Sequence, residues 1–397
     1  MQSTNSTLRP MPLVIAVALC ALLGLCTVPA PAAADTFDCY DNCTDSLLDE
    51  PDCIEDTDPE DGDWHTSCTD LAACPDAGSD VTVLSIHGGR IERWTSEISA
   101  ELASLYGWSH YDFNAHLLEN GACRALATDG NPSNDNNEVL HVTATHFDHA
   151  EALTLVGAHP DAVSIHGCGA SCDAATICVG GANTLQVAGF NAYFSQYSYL
   201  SGAVEAATVP SADPLCGSNL AGVHEDNIVN RTSTDQGLQL EMSLDVRSAL
   251  ADADDVDDDL LRGVVYGAVA VAMGELPPPL VTLEDVQTYT FNGTTYERFL
   301  FDVENFSEYP QELFDAAPSL PPCGLNTSAP RTWVRIYDAE DDGYVYGFCS
   351  LGSPASLNAI WFARPQGTAP DAVYVQLEDR ETGRVYRSNR IETTPAP

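Results

Sequence analysis

The stretch Val-Thr-Val-Leu-Ser-Ile at residues 81–86 constrains this chain more than any other. It is an uncharged, β-prone run without polar alternation, and such a strand must be covered on both faces. A second run, Asp-Ala-Val-Ser-Ile at 161–165, ends as the first does, because both pass straight into His-Gly: "VTVLSIHGGRIE" at 81–92 and "DAVSIHGCG" at 161–169. Helical signals lie between and beyond them. Thr95 stands where it can cap a helix whose Ile98, Leu102 and Leu105 share one face and which Gly107 closes. Further helices are expected near 148–156 and 180–188, and further strands at 139–145 ("VLHVTAT") and 238–244 ("LQLEMSL"). A last helix over about 258–274 stops before Pro277, Pro278 and Pro279. Strands alternating with helices predict an α/β layered domain over residues 80–275.

The flanks read differently. Residues 280–397 are a series of short strands with turns about every ten residues, the pattern of an antiparallel β-sandwich, which we expect to be an accessory or binding module. Residues 35–79 are acidic and cysteine-rich without apolar periodicity, and predict an extended segment pinned by disulfides. Residues 1–34 place Arg9 before an apolar run that ends in Pro-Ala-Pro-Ala-Ala-Ala. That is the layout of a cleavable secretory signal, so the protein is expected to be secreted and free of the membrane after cleavage. Of 14 cysteines, 12 lie beyond that signal, and no paired C-x2-C spacing favours a zinc-thiolate site, so disulfides are expected, with Cys323–Cys349 as a candidate staple.

Charge narrows the partners. There are 59 acidic residues against 15 basic ones, every basic residue is arginine, and the net charge is −44. Such a surface repels nucleic acid and anionic lipid, so neither is expected as a partner.

The two histidines, His87 and His166, follow apolar runs, and in α/β sheets functional groups gather at the carboxyl ends of parallel strands. If the strands are neighbours, two imidazoles converge, a pairing that suits a transition metal, zinc above all. The two glycines after His87 let the loop fold back so that Glu92 can be a third ligand. Each histidine alone reads equally as a satisfied core residue. In "GLQLEMSL" the alternation sets Gln239 and Glu241 opposite Leu238, Leu240 and Met242. A mid-strand carboxylate is either a solvated outer face or a group in use, in which case Glu241 is a general base. Asn227, Asn230 and Arg231 precede that strand and suit a substrate carboxylate or an oxyanion, as does Arg93 beside Glu92; the bland alternative for Arg231 is a structural ion pair.

Taken in order, "SIHGGRIERWTSEI", "LHVTATHFD", "VSIHGCG" with "CVGG", and "NIVNR…GLQLEMSLDVR" resemble the poly-γ-glutamate hydrolases of phages and bacteria, over roughly residues 80–274. The resemblance implies a zinc enzyme related to carboxypeptidase A, a three-layer α/β/α sandwich with a mixed central sheet. It implies His87, Glu92 and His166 as zinc ligands, Glu241 as catalytic glutamate and Arg231 as a binder of substrate carboxylate. The expected substrate is a polyanion or peptide carrying glutamyl carboxylates. Two alternatives stand beside it: a peptidoglycan stem-peptide amidase or carboxypeptidase, and a non-catalytic surface binding protein built on an inert hydrolase domain.

Overall fold

The computed structural model describes residues 53–54, 67–74, 79–89, 91–119, 122–123, 141–168, 172, 175–200, 204–208, 216–217, 220–251, 256–322, 330–349 and 352–394. Residues 1–34, the expected signal, lie outside them, as does most of 35–79. The first nine strands are β1 (Cys53–Ile54), β2 (Ser67–Cys74), β3 (Val81–Gly89), β4 (Ser109–Glu119), β5 (Ala122–Cys123), β6 (Asp161–Gly167), β7 (Thr176–Gly180), β8 (Glu205–Thr208) and β9 (Leu238–Met242). They form one mixed sheet whose six central strands run β4-β3-β6-β9-β7-β8. β4, β3, β6 and β9 are mutually parallel, while β7 runs against β9. The accompanying helices are α1 (Thr95–Tyr106), α2 (Ala150–Ala158), α3 (Thr184–Tyr197), α4 (Leu244–Ala251) and α5 (Val256–Ala272).

Side-chain alternation sorts the sheet into two cores. Val81 and Val83 of β3 join Ile98 and Leu102 of α1, Phe190 of α3 and Val264 of α5 in one apolar cluster. Leu84 and Ile86 point the other way, into a cluster with Phe113, Phe147 and Leu155 and Val156 of α2. β3 is therefore buried on both faces, as its uninterrupted apolar run requires. Each fully buried Leu or Ile contributes about 1.5–3 kcal/mol over an exposed one. β9 keeps its alternation, with Leu238, Leu240 and Met242 in the first cluster and Gln239 and Glu241 outside it.

The C-terminal region holds β10 (Val281–Phe291), β11 (Thr294–Val303), β12 (Thr332–Asp338), β13 (Tyr344–Phe348), β14 (Ile360–Pro365), β15 (Ala372–Asp379) and β16 (Val385–Glu392). They form two antiparallel sheets, β10-β11-β14 and β13-β12-β15-β16. Phe299, Phe301 and Phe362 of the first meet Val334, Ile336 and Val375 of the second in one core. The β10–β11 hairpin turns on Asn292 and Gly293, both at positive φ (50° and 80°), the two-residue turn whose twist suits a hairpin. Asp259 of α5 accepts the backbone N–H of Arg390 in β16, joining the two regions. Both belong to one compact unit, Cys39–Pro397. No helix among the described residues is long and apolar enough to cross a membrane.

Several expectations need correcting. Residues 141–145, the described part of the expected strand at 139–145, are irregular chain and a turn. The reason is that its carbonyls serve other partners: Thr143 accepts from His146, Ala144 from Ile228 and Val142 from an imidazole. Leu105 is exposed, so the apolar face of α1 is narrower than its spacing implied. Thr95 is the first helical residue rather than the cap, and the cap position is Trp94, in left-handed backbone. Ser67–Cys74, read as part of a segment apart, is a strand paired antiparallel to β4. Disulfides join Cys168–Cys172 and Cys178–Cys216, and Cys349 is also disulfide-bonded, whereas Cys323 lies outside the described residues.

Candidate metal centre

The centre is assembled at the carboxyl ends of β3, β6 and β9. In β3 the pairing with β4 slips between Ser85 and Gly88, a bulge that re-aims the chain around His87. The two glycines that follow do different jobs. A Cβ on Gly88 would lie 2.2 Å from Ser96 Oγ and 2.5 Å from Asp112 Oδ1, so this position needs the space. Gly89 needs the freedom, with φ at 67°. The loop then returns, and the Glu92 N–H donates to the His87 carbonyl at 2.8 Å. Thr95 Oγ1 fastens it by donating to the carbonyls of Glu92 and His87.

His166 comes from β6, where it pairs in register with Glu241 of β9. His87 Nδ1 lies 3.0 Å from Glu92 Oε1 and 3.1 Å from His166 Nδ1, and His166 Nδ1 lies 3.7 Å from Glu92 Oε2. His87, Glu92 and His166 each offer one ligand atom, all within 4.8 Å of one another, and all three side chains are buried. The far nitrogens are anchored. His87 Nε2 donates to the Val142 carbonyl at 2.7 Å, which orients the ring so that Nδ1 is the nitrogen facing Glu92 and His166. His166 Nε2 is held by Ser164 Oγ, also at 2.7 Å. Tetrahedral zinc with bonds of about 2.0–2.1 Å sets its ligands roughly 3.3 Å apart, so two nitrogens and a carboxylate at these separations fit that ion. Outer partners of this kind fix ring orientation at metal sites.

The electrostatics agree. Burial alone would raise the Glu92 carboxyl, but His87 and His166 outweigh it and hold it well below the usual carboxylate range. Burial opposes protonation of His166, yet Glu241 and Glu92 overcome it and raise that imidazole. Glu241 is pushed up to about 7, chiefly by burial and then by Glu92, against His166 and a hydrogen bond of 2.7 Å from Gln239 to its Oε1. Gln239 in turn accepts from Asn227 Nδ2 at 2.8 Å.

The remaining expected residues are placed differently. Asn230 spends all four hydrogen-bonding positions on backbone, donating to Gly222 and His224 and accepting from Ala182 and Gly237, so it has no amide hydrogen for a substrate. Asn227 acts through Gln239. Arg231 is exposed, pairs with Asp226 at 3.2 Å and borders an open cavity of about 410 Å³ with Thr145, His146 and Asp148. The Arg93 guanidinium lies over the Trp94 ring, 4.3 Å from its centroid.

Two residues were missed. His141 stacks on His87, with ring centroids 4.0 Å apart, and its Nε2 is 3.7 Å from Glu92 Oε1. Burial pushes it down to about 3, so it sits at the rim as a neutral imidazole. Arg247 of α4 is buried near the centre; burial pulls its basicity down, while the charges of Glu92 and Glu241 pull it up. Its sequence signals are its rarity as an arginine and its place at the end of "GLQLEMSLDVR", just after the strand that carries Glu241.

The sequence model of the poly-gamma-glutamate hydrolase family matches residues 56–260. The UPF0714 protein YndL of Bacillus subtilis (strain 168) is 33% identical over 175 residues, covering 44% of this chain and 58% of that protein. The SPbeta prophage-derived UPF0714 protein YoqZ of the same strain is 36% identical over 167 residues, 42% of this chain and 50% of that one. The chain thus spans between half and three-fifths of the length of these relatives. Among solved structures, a bacteriophage poly-gamma-glutamate hydrolase aligns at 27% identity and a TM-score of 0.40, over 59% of this chain and 98% of that one. A zinc-free apo form of YNDL aligns at 29% identity and 0.35, over 53% and 83%.

Proposed function

The chain belongs to the poly-gamma-glutamate hydrolase family, and we propose that it is an exported, zinc-dependent amidohydrolase that cleaves amide bonds to glutamyl residues. The observation that carries the reading is the convergence of His87 Nδ1, His166 Nδ1 and Glu92, with both far nitrogens anchored. These three residues would hold the ion, and zinc, when bound, polarises the scissile carbonyl and acidifies water at neutral pH. A zinc carboxypeptidase-like layering is part of the same reading, supported by apolar cores on both faces of the sheet.

The chain's own groups supply the rest. Glu241 is buried, with Oε1 held by Gln239, which leaves Oε2 to take a proton from the attacking water and return it to the leaving amine nitrogen. A carboxylate tuned toward 7 is matched to that transfer. Arg231, at the open cavity, is assigned to a substrate carboxylate, its pairing with exposed Asp226 being of the weak surface kind that a substrate can replace. Arg93 is held on Trp94 near the same loop and is a second candidate for that carboxylate.

A net charge of −44 favours short γ-glutamyl peptides, such as peptidoglycan stem peptides, over a long polyanion. Purified protein should contain one equivalent of zinc, lose activity on chelation and regain it with zinc. Incubation with poly-γ-glutamate and with wall peptides, followed by detection of new amines, separates the two substrates. Activity that survives removal of all metal would sink the mechanism.

A further inference from the structure

We propose that Arg247 is the positioning residue of this centre: one guanidinium that fastens together the three chain segments carrying Glu92, His166 and Glu241. The inference rests on the metal-centre reading above and extends it to a residue in another element. α4 begins directly after β9, and the Arg247 N–H donates to Ser243, so the side chain leaves from the first turn and folds back over the sheet end. Its Nε donates to the Met242 carbonyl at 3.2 Å. Its Nη1 donates to the Arg93 carbonyl. Against Gly167 it packs so closely that a Cβ there would lie 2.4 Å from Cζ and 2.5 Å from Nη2.

These three contacts share a position. Arg93 follows Glu92, Gly167 follows His166, and Met242 follows Glu241. The sheet ladder already sets His166 against Glu241, but the loop that carries Glu92 lies beyond the ladder. Two bonds hold that loop to β6 and β9: Gly167 N–H to Glu92 Oε2 at 2.7 Å, and Arg247 to Arg93. A guanidinium buried to 4% exposure is a costly way to obtain stability alone: its hydrogen bonds go to carbonyls, and Glu92 and Glu241 act on it only through space. Its planar fork, with donors set at fixed angles, is what lets one side chain serve several segments, and a lysine has no such fork.

The test is zinc affinity of the full-length protein, measured by chelator competition, with cobalt substitution as a spectroscopic reporter of ligand geometry. R247M is expected to weaken zinc binding about 10–100-fold, the range for outer partners of metal ligands, and to alter the cobalt spectrum. R247K should stay within about threefold of R247M, since charge without the fork does not restore the contacts. G167A, which drives a methyl into the guanidinium, should reproduce the loss in a chain that keeps Arg247. The double variant should be no worse than R247M alone, because the two changes break one contact. Thermal melting of each metal-free variant separates misfolding from mispositioning, and G167A carries the test should R247M not fold. Folded R247M with zinc affinity within threefold of wild type and an unchanged cobalt spectrum overturns the inference. So does full rescue by R247K. Wild-type protein that takes up no zinc overturns the metal reading itself, a separate result.

Discussion

Buried polar groups occur both at the end of the mixed sheet and in the C-terminal sheets, and they are satisfied in opposite ways. In the C-terminal sheets Asp379 accepts from Arg331 Nε and Nη2, both at 2.8 Å, from Thr382 Oγ1 at 2.7 Å and from the Glu381 N–H at 3.1 Å. Every oxygen there has a donor. At the end of the mixed sheet three ligand-type groups converge instead: His87 Nδ1 faces both His166 Nδ1 and the Glu92 carboxylate, 3.1 and 3.0 Å away. Glu241 and Glu92 raise the His166 imidazole against burial, and binding a divalent ion would compete with that proton. The difference shows how a fold marks a site: in one region every oxygen of the buried carboxylate meets a donor, while in the other two imidazole nitrogens and a carboxylate are turned toward one point.

Removing a ligand should break the contrast most completely. H166A is expected to lose stoichiometric zinc, measured by metal analysis, and with it all detectable hydrolysis, while the C-terminal sheets keep their fold by circular dichroism. E241Q should retain zinc and lose kcat by roughly 10²–10⁴-fold, the usual contribution of a general base. Retained kcat in E241Q removes Glu241 from the chemistry.

The same residue gives a stability test in metal-free protein. The folded Glu241 sits at about 7, above its ordinary range, so the folded state binds a proton more tightly than the unfolded one. Stability is therefore lost as pH rises from about 4.5 toward 7, and E241Q should exceed wild type by about 1–3 kcal/mol at pH 8 and match it at pH 4. Asp379 carries the opposite sign. Its hydrogen bonds with Arg331 hold it down at about 2, so its stabilisation is full above about 4 and fades as pH falls toward 2. D379N should cost about 1–3 kcal/mol at neutral pH, leave zinc affinity untouched and flatten the acid limb of the melting profile. Least affected is α1: L105A, at an exposed position, should stay within about 0.5 kcal/mol of wild type.

Those predictions also measure what the sequence makes legible. The apolar run of β3 and the alternation of β9 reveal their elements because burial there follows directly from local pattern. His87, Glu92 and His166 stand out because two strands end in the same words and two glycines return the loop. The chain at 141–146 misleads because its β-prone residues spend their carbonyls on a turn, a neighbouring segment and His87. Ser67–Cys74 is hidden by the acidic, cysteine-rich composition around it. Asn230 is chemically suited to substrate and is used up by backbone. Arg247 is the converse, an arginine in a short helix that nothing local marks as buried; its role appears only when three distant segments are brought to one guanidinium.

The two disulfides near the centre have a consequence for which ion it can hold. Cys168 lies two residues after His166 and is joined to Cys172, while Cys178, joined to Cys216, sits opposite Glu241 in the β7–β9 ladder. Reduced, these sulfurs would be soft thiolate ligands just past the strand that carries His166 and on the strand beside Glu241, and thiolates draw copper(I) and similar thiophilic ions. Sealed in pairs they offer none, and the donor set stays imidazole and carboxylate. Oxidation of sulfur would thus restrict which ions the His/Glu donor set could attract.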